Sequence, residues 1–131
     1  MGGGVLVVED DEDIRADLTA ILRIKGFAVD EAANGKEALA RLHAGERPCV
    51  IVLDLMMPVM NGWELRSAML ADAALATIPV VVVSGKGRIP LEEEQTLAPA
   101  AMLVKPFELA ELLELVRRYC GGPRPAASAG R

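Results

Sequence analysis

Aromatic side chains are scarce: Phe27, Trp63, Phe107 and Tyr119 make up 3% of the 131 residues. So few rings cannot build the stacking platform that single-stranded nucleic acid needs. Positive charge is also short, with 14 Lys and Arg against 19 Asp and Glu and a net charge of −5. Nucleic acid rewards basic surfaces, so no nucleic-acid partner is expected. No apolar run approaches the roughly 18 residues of a membrane-spanning helix, which argues against membrane insertion. Met1-Gly2-Gly3-Gly4 lacks the basic region of a signal peptide and runs straight into a strand pattern. Cysteine occurs twice, as Cys49 and Cys120, in no metal or redox spacing. Cys49 falls in an apolar run and reads as a small core residue. A reducing, cytoplasmic setting is the simplest inference from the two thiols.

What the chain has is a set of short apolar runs, each stopping at a polar residue. Val5 to Val8 ends in Glu9-Asp10-Asp11, and Cys49 to Leu53 ends in Asp54. Val80 to Val83 ends in Ser84, and Ala101 to Val104 ends in Lys105. Helical periodicity fills the gaps between them. Ile14, Leu18, Ile21 and Leu22 give a helix from Glu12 to Lys25, stopped by Gly26. A second strand covers Phe27 to Ala32. Asn34 with Glu37 resembles a capping box, opening a helix from Gly35 to Ala44. Further helices are expected from Trp63 to about Ala71, over Leu91 to Ala98 between Pro90 and Pro99, and from Phe107 to Tyr119. Residues 1–120 therefore read as one domain. Residues 121–131, rich in Gly, Pro and Ala without periodicity, read as a flexible tail or cut linker.

Alternating strands and helices fold most simply as a parallel α/β sheet with helices on both faces. Such sheets place their sites at the C-terminal ends of the strands. A carboxylate cluster, a hydroxyl and an ammonium then share one crevice around Asp54, the equipment of an aspartate that accepts a phosphoryl group.

Plainer accounts exist for several of these residues. Asp11 suits a helix cap, and an acidic first turn suits a helix dipole. Beside Asp54, however, Glu9 and Asp10 make a pocket rather than a solvated helix start. His43 falls at the opposite sheet edge and cannot join Asp54 and Ser84 in a triad. Gly85-Lys86-Gly87 lacks the pattern of a phosphate loop and reads as a mobile loop.

Val7-Val8-Glu9-Asp10-Asp11, Leu53-Asp54-Leu55-Met56-Met57-Pro58, Met60-Asn61-Gly62, Ser84-Gly85 and Lys105-Pro106-Phe107 together resemble the receiver domains of bacterial two-component response regulators. The resemblance runs from about Val5 to Tyr119. It implies a five-stranded flavodoxin-like (βα)5 fold with strand order 2-1-3-4-5, an order the handedness of such units also allows. It implies that Asp54 is the phosphoacceptor, loaded from a phosphohistidine of a sensor histidine kinase or histidine phosphotransfer domain, and that an unidentified downstream protein reads the result. It implies Mg2+, with Mn2+ as the alternative ion, held by Asp10, Asp54 and the Met56 carbonyl, with Glu9 acting through water. Lys105 would pair with the Asp54 carboxylate and then the phosphoryl oxygens, across a cis Lys105-Pro106 bond. Ser84 would donate its hydroxyl to the phosphoryl group.

Three positions depart from that pattern. Met102 stands where many receivers carry a switching aromatic, and Met56 and Lys86 occupy positions that tune hydrolysis of the acyl phosphate. An Asp-nucleophile phosphatase of the haloacid dehalogenase type is the rival from the enzymes. It needs a second acid two residues on, where this chain has Met56. A flavodoxin-like nucleotide binder fails on its acidic first loop. A degenerate receiver that only binds proteins would not keep every charged member of the site.

Overall fold

Short runs of valine, leucine and isoleucine form five parallel strands: β1 (Val5–Val8), β2 (Val29–Ala32), β3 (Val50–Asp54), β4 (Val80–Ser84) and β5 (Ala101–Val104). In this computed structural model, which describes residues 3–85 and 89–121, the sheet order is β2-β1-β3-β4-β5, as expected. Every residue of β1, β3 and β4 is buried, as strands covered on both faces must be.

Among the described residues six helices flank the sheet: α1 (Glu12–Ile24), α2 (Gly35–His43), α3 (Gly62–Leu70), α4 (Ala73–Ala76), α5 (Leu91–Leu97) and α6 (Leu109–Cys120). Side chains alternate along a strand, so each strand feeds two cores. Val5, Val7, Val50, Val52, Val81 and Val83 pack on one face with Leu22 of α1 and Leu112, Leu113 and Val116 of α6. Leu6, Val8, Ile51, Leu53, Val80 and Val82 pack on the other with Leu42 of α2, Leu65 and Met69 of α3 and Leu97 of α5. Among the described residues no helix is long and apolar enough to cross a membrane.

The loop after β3 is fixed by close backbone approach. The Gly62 amide donates to the Leu55 carbonyl at 3.0 Å, and the Gly35 amide to the Met60 carbonyl at 2.9 Å. A Cβ on Gly62 would lie 2.8 Å from the Leu55 α-carbon, so a larger residue would push α3 off the loop. Asn61 and Glu64 close a full capping box on α3. At α2 the box is displaced by one residue: Asn34 accepts from the Glu37 amide, but the Glu37 carboxylate accepts from Ala33 at 2.9 Å.

Several boundaries differ from the sequence reading. β2 starts at Val29 because Gly26, at φ 99°, ends α1 and the Phe27 amide is spent on the Leu22 carbonyl at 3.0 Å. Phe27 then packs into the core as a plug rather than a strand residue. α6 opens at Leu109 because the Glu111 carboxylate accepts from the Glu108 amide at 2.9 Å. The single turn of α4, capped by Asp72, was not anticipated. β3 and β4 each run one residue further, so Asp54 and Ser84 belong to strands. Lys86, Gly87 and residues 122–131, read above as a mobile loop and a tail, lie outside the described residues.

The cysteine reading is corrected. Cys49 and Cys120 are joined in a disulfide, with α-carbons 5.2 Å apart. Cys49 is half-buried rather than a core residue, and Cys120 is half-buried too. Parallel βα units bring helix C-termini beside strand starts, so the end of α6 meets the start of β3 across a sequence separation of 71. No spacing rule detects such a pair, and the argument for a reducing compartment from unpaired thiols falls away.

Candidate functional site

Register assembles the site. Val8 pairs with Leu53, so the next residues, Glu9 and Asp54, end adjacent strands side by side. The alternation that turns Val7 and Val52 toward the α1–α6 face carries Glu9 and Asp54 with them, and Leu103 of β5 does the same for Lys105. These residues line one hollow of about 450 Å³ with Ile14, Leu18 and Phe107. Carboxylate oxygens of Glu9, Asp10 and Asp54 all lie within 4.8 Å of one another. Glu9 and Asp54 are 4% and 7% exposed, while Asp10 is open to solvent.

Two buried carboxyls this close cannot both ionise freely. Burial is the main cause that lifts Glu9 to about 7 from an ordinary 4.5, and the Asp54 charge and hydrogen bond add to it. The Asp11 amide, 3.1 Å from Glu9 Oε2, and Lys105 act against the rise. Asp54 is raised as well, again chiefly by burial. Lys105, the Met56 amide and the hydrogen bond from Glu9 hold it back. Both carboxyls thus hold a proton more tightly than free ones, and the hydrogen bond between them favours the charged form of Asp54.

Lys105 differs in detail from the expectation. Its ion pair is with Glu9, Nζ to Oε1 at 3.7 Å, rather than with Asp54. Asp54 still feels the ammonium charge. The Lys105-Pro106 peptide is cis, as expected. Met56 reaches Asp54 through its amide, which donates to Oδ1 at 3.4 Å. Ser84 is buried at the end of β4, one residue beyond the Val83 that pairs with Asp54. It lines a neighbouring hollow with Leu55, Met56 and Trp63. Asp11 caps α1, its carboxylate accepting from the Asp13 and Ile14 amides at 3.0 Å. His43 is exposed at the far edge, as expected.

Arg15 is the residue the sequence reading missed. Its Nη1 donates to the Glu9 carbonyl at 2.8 Å, and its Nε to Glu31 at 3.0 Å. It ties the carboxylate loop to α1 and β2. The signal was available: Arg15 is the one cation in the acidic stretch from Glu9 to Asp17.

Three oxygen donors on a shared center, two of them screened from water, suit a hard divalent cation. A family model described as the response regulator receiver domain matches residues 5–117. The chain belongs to the receiver domain family. Its relatives include the transcriptional regulatory protein PrrA of Mycobacterium tuberculosis, 42% identical over 86% of this chain and 48% of PrrA. This receiver domain thus spans about half the length of that relative. It also resembles the chemotaxis response regulator CheY4 of Vibrio cholerae, with TM-score 0.79, 31% identity and coverage of 91% of this chain and 99% of that one. The response regulator TrrA of Thermotoga maritima, solved in complex with Mg2+-BeF, matches with TM-score 0.75 and 27% identity over 91% of this chain and 99% of TrrA. Receiver domains act in two-component signalling, bind Mg2+ at an acidic pocket and are phosphorylated by histidine kinases.

Proposed function

We propose that Asp54 accepts a phosphoryl group from the phosphohistidine of a sensor histidine kinase or histidine phosphotransfer domain. The observation that carries this reading is the convergence of Glu9, Asp10 and Asp54 within 4.8 Å beside Lys105. An Asp54 oxygen forms the new bond to phosphorus as the phosphorus–nitrogen bond breaks, and the departing imidazole keeps the bonding pair. Asp54 must be ionised to attack, which the Met56 amide and the Lys105 charge favour. Asp10, Asp54 and the Met56 carbonyl would hold Mg2+, or Mn2+, with Glu9 acting through water, and the ion would supply positive charge against the carboxylates and the transferred oxygens.

Lys105 exchanges its Glu9 partner for a phosphoryl oxygen, and Ser84 donates its hydroxyl from the end of β4. That bond draws the end of β4 inward and alters a protein-binding surface for a downstream partner. Met102 supplies no aromatic ring to follow the movement, so the response passes through the backbone after Ser84. The domain is a cytoplasmic phosphoacceptor, not an enzyme acting on outside substrates: Leu55-Met56 offers no acid to a leaving group. Slow self-hydrolysis of the acyl phosphate is its own chemistry, with Met56 flanking the site.

A small phosphodonor with Mg2+ should load one base-labile phosphoryl group, and Asp54→Asn should abolish it. Labelling that survives Asp54→Asn, or steady turnover of phosphomonoesters, would overturn the assignment.

A further inference from the structure

The chain's two cysteines meet at the edge of the sheet away from the acidic site. Cys49 immediately precedes β3, and Cys120 is the last residue of α6. Their α-carbon separation of 5.2 Å lies inside the roughly 4.4–6.8 Å range that a disulfide spans without moving the backbone. Both residues are half-buried, so a small thiol or disulfide reagent has access to the pair. The dithiol state is provided for as well. The Cys49 sulfur lies 3.4 Å from the Gly4 carbonyl oxygen, an acceptor for its S–H when the bond is open.

The pair has a mechanical consequence. The body of α6 is held by Leu112, Leu113 and Val116, all buried against the sheet. Its last turn is exposed at Arg117 and Arg118 and is held by Tyr119, whose hydroxyl donates to the Ala100 carbonyl at 3.3 Å, and by Cys120. Gly121 follows at φ 78° and closes the helix. The bond therefore fixes the C-terminal end of α6. β3 runs from beside Cys49 to Asp54, five residues or about 17 Å, so the bond does not reach the phosphoacceptor itself.

We propose that Cys49 and Cys120 are a reversible dithiol–disulfide site that takes oxidising equivalents from a small-molecule disulfide of the glutathione class, and that the bond clamps the end of α6 to the base of β3. One cysteine thiolate attacks the reagent disulfide, forms a mixed disulfide and releases one reagent thiolate. The second cysteine, as thiolate, attacks the protein sulfur of that mixed disulfide and releases the other. The protein loses two protons and two electrons, and the reagent leaves as two thiols. In a cytoplasm that keeps thiols reduced, the open form is the resting one and oxidation closes the clamp.

The experiment uses the whole chain in oxidised and then reduced glutathione. Oxidised glutathione should remove both alkylatable thiols with loss of two hydrogens and no added reagent mass. Millimolar reduced glutathione should restore the thiols. Opening the bond should lower the melting temperature by about 10 °C, given the long loop it closes. Amide exchange at residues 117–121 should speed by at least about ten-fold on opening while β3 stays protected. Cys49→Ser and Cys120→Ser should each melt and exchange as the reduced protein in both buffers, the remaining cysteine stopping at the mixed disulfide with oxidised glutathione. The proposal is overturned if both thiols still alkylate after oxidation, or if the bond resists reduced glutathione. Equal melting and equal α6 exchange in the two states overturn it as well.

Discussion

Glu9 is a buried carboxyl placed between a carboxylate and an ammonium, and the burial decides its behaviour. Its folded value of about 7 lies above the ordinary 4.5. Between those pH values the metal-free folded protein keeps a proton that the unfolded chain has released. The associated stability is complete below about pH 4.5 and is lost as pH rises through 7, amounting to roughly 3 kcal/mol at about 1.4 kcal/mol per unit. In EDTA, Glu9→Gln should therefore melt above the parent at pH 8, with the gap closing toward pH 5. The lost Lys105 pair offsets less than about 1 kcal/mol of this, because Lys105 is partly solvated. A gap that does not vary with pH would count against a titrating Glu9. At this scale the sequence shows which residues gather, because each follows an apolar run. It does not show which partner Lys105 takes, nor that Glu9 is buried deeply enough to be raised, because reach and burial depend on neighbours from other strands. Arg15 was hidden for the same reason: its two partners, Glu9 and Glu31, belong to different strands' ends.

At the scale of elements, α5 is the weak member. Pro90 gives it no side-chain cap, and Ala98 ends it at φ 46°, a left-handed conformation that costs an alanine energy. Arg66 of α3 compensates, its Nε donating to the Leu97 carbonyl at 2.7 Å and its Nη2 to the Ala98 carbonyl at 3.0 Å. A cation at a helix C-terminus satisfies open carbonyls and opposes the dipole. Burial pushes the Arg66 guanidinium down from its ordinary value, and Nη1 has no hydrogen-bond partner among the described residues. Arg66→Met should nevertheless cost about 2 kcal/mol, because the buried Leu97 carbonyl and the more open Ala98 carbonyl both lose their donor. Exchange of the α5 amides should accelerate before that of the sheet. Ala98→Gly should act in the opposite direction by roughly 1 kcal/mol, since glycine takes that conformation freely. An α5 whose exchange is unmoved by Arg66→Met would refute the clamp. The short α5 was legible from Pro90 and Pro99, and the strands from their uninterrupted apolar runs. The Arg66 clamp was not, because a lone arginine on a helix with Leu65 and Met69 gives no hint that it reaches a helix 31 residues away.

Across the whole molecule, parallel strands sort chemistry by direction. Every strand delivers its C-terminal residue to one edge, where Glu9, Asp54, Ser84 and Lys105 collect, while the start of β3 and the end of α6 bring the cysteines to the other. The site is therefore a concentration of like charge that the packing of both cores holds in place, and a ligand that relieves it must stabilise the entire fold. For Mg2+ binding only the folded state, a concentration of ten times Kd adds about 1.4 kcal/mol, or roughly 5 °C in Tm for a domain of this size. The proton on Glu9 competes with that ion, because protonation removes negative charge from the same three carboxylates. The Mg2+-induced rise in Tm should thus be larger at pH 8 than at pH 5.5 at fixed metal concentration. It should vanish in Asp54→Asn and shrink in Asp10→Asn, whereas Glu9→Gln should flatten the pH dependence without abolishing binding. Differential scanning fluorimetry across that pH series, with and without Mg2+, separates these outcomes. A rise that persists in Asp54→Asn, or that grows as pH falls, would place the ion elsewhere on the protein.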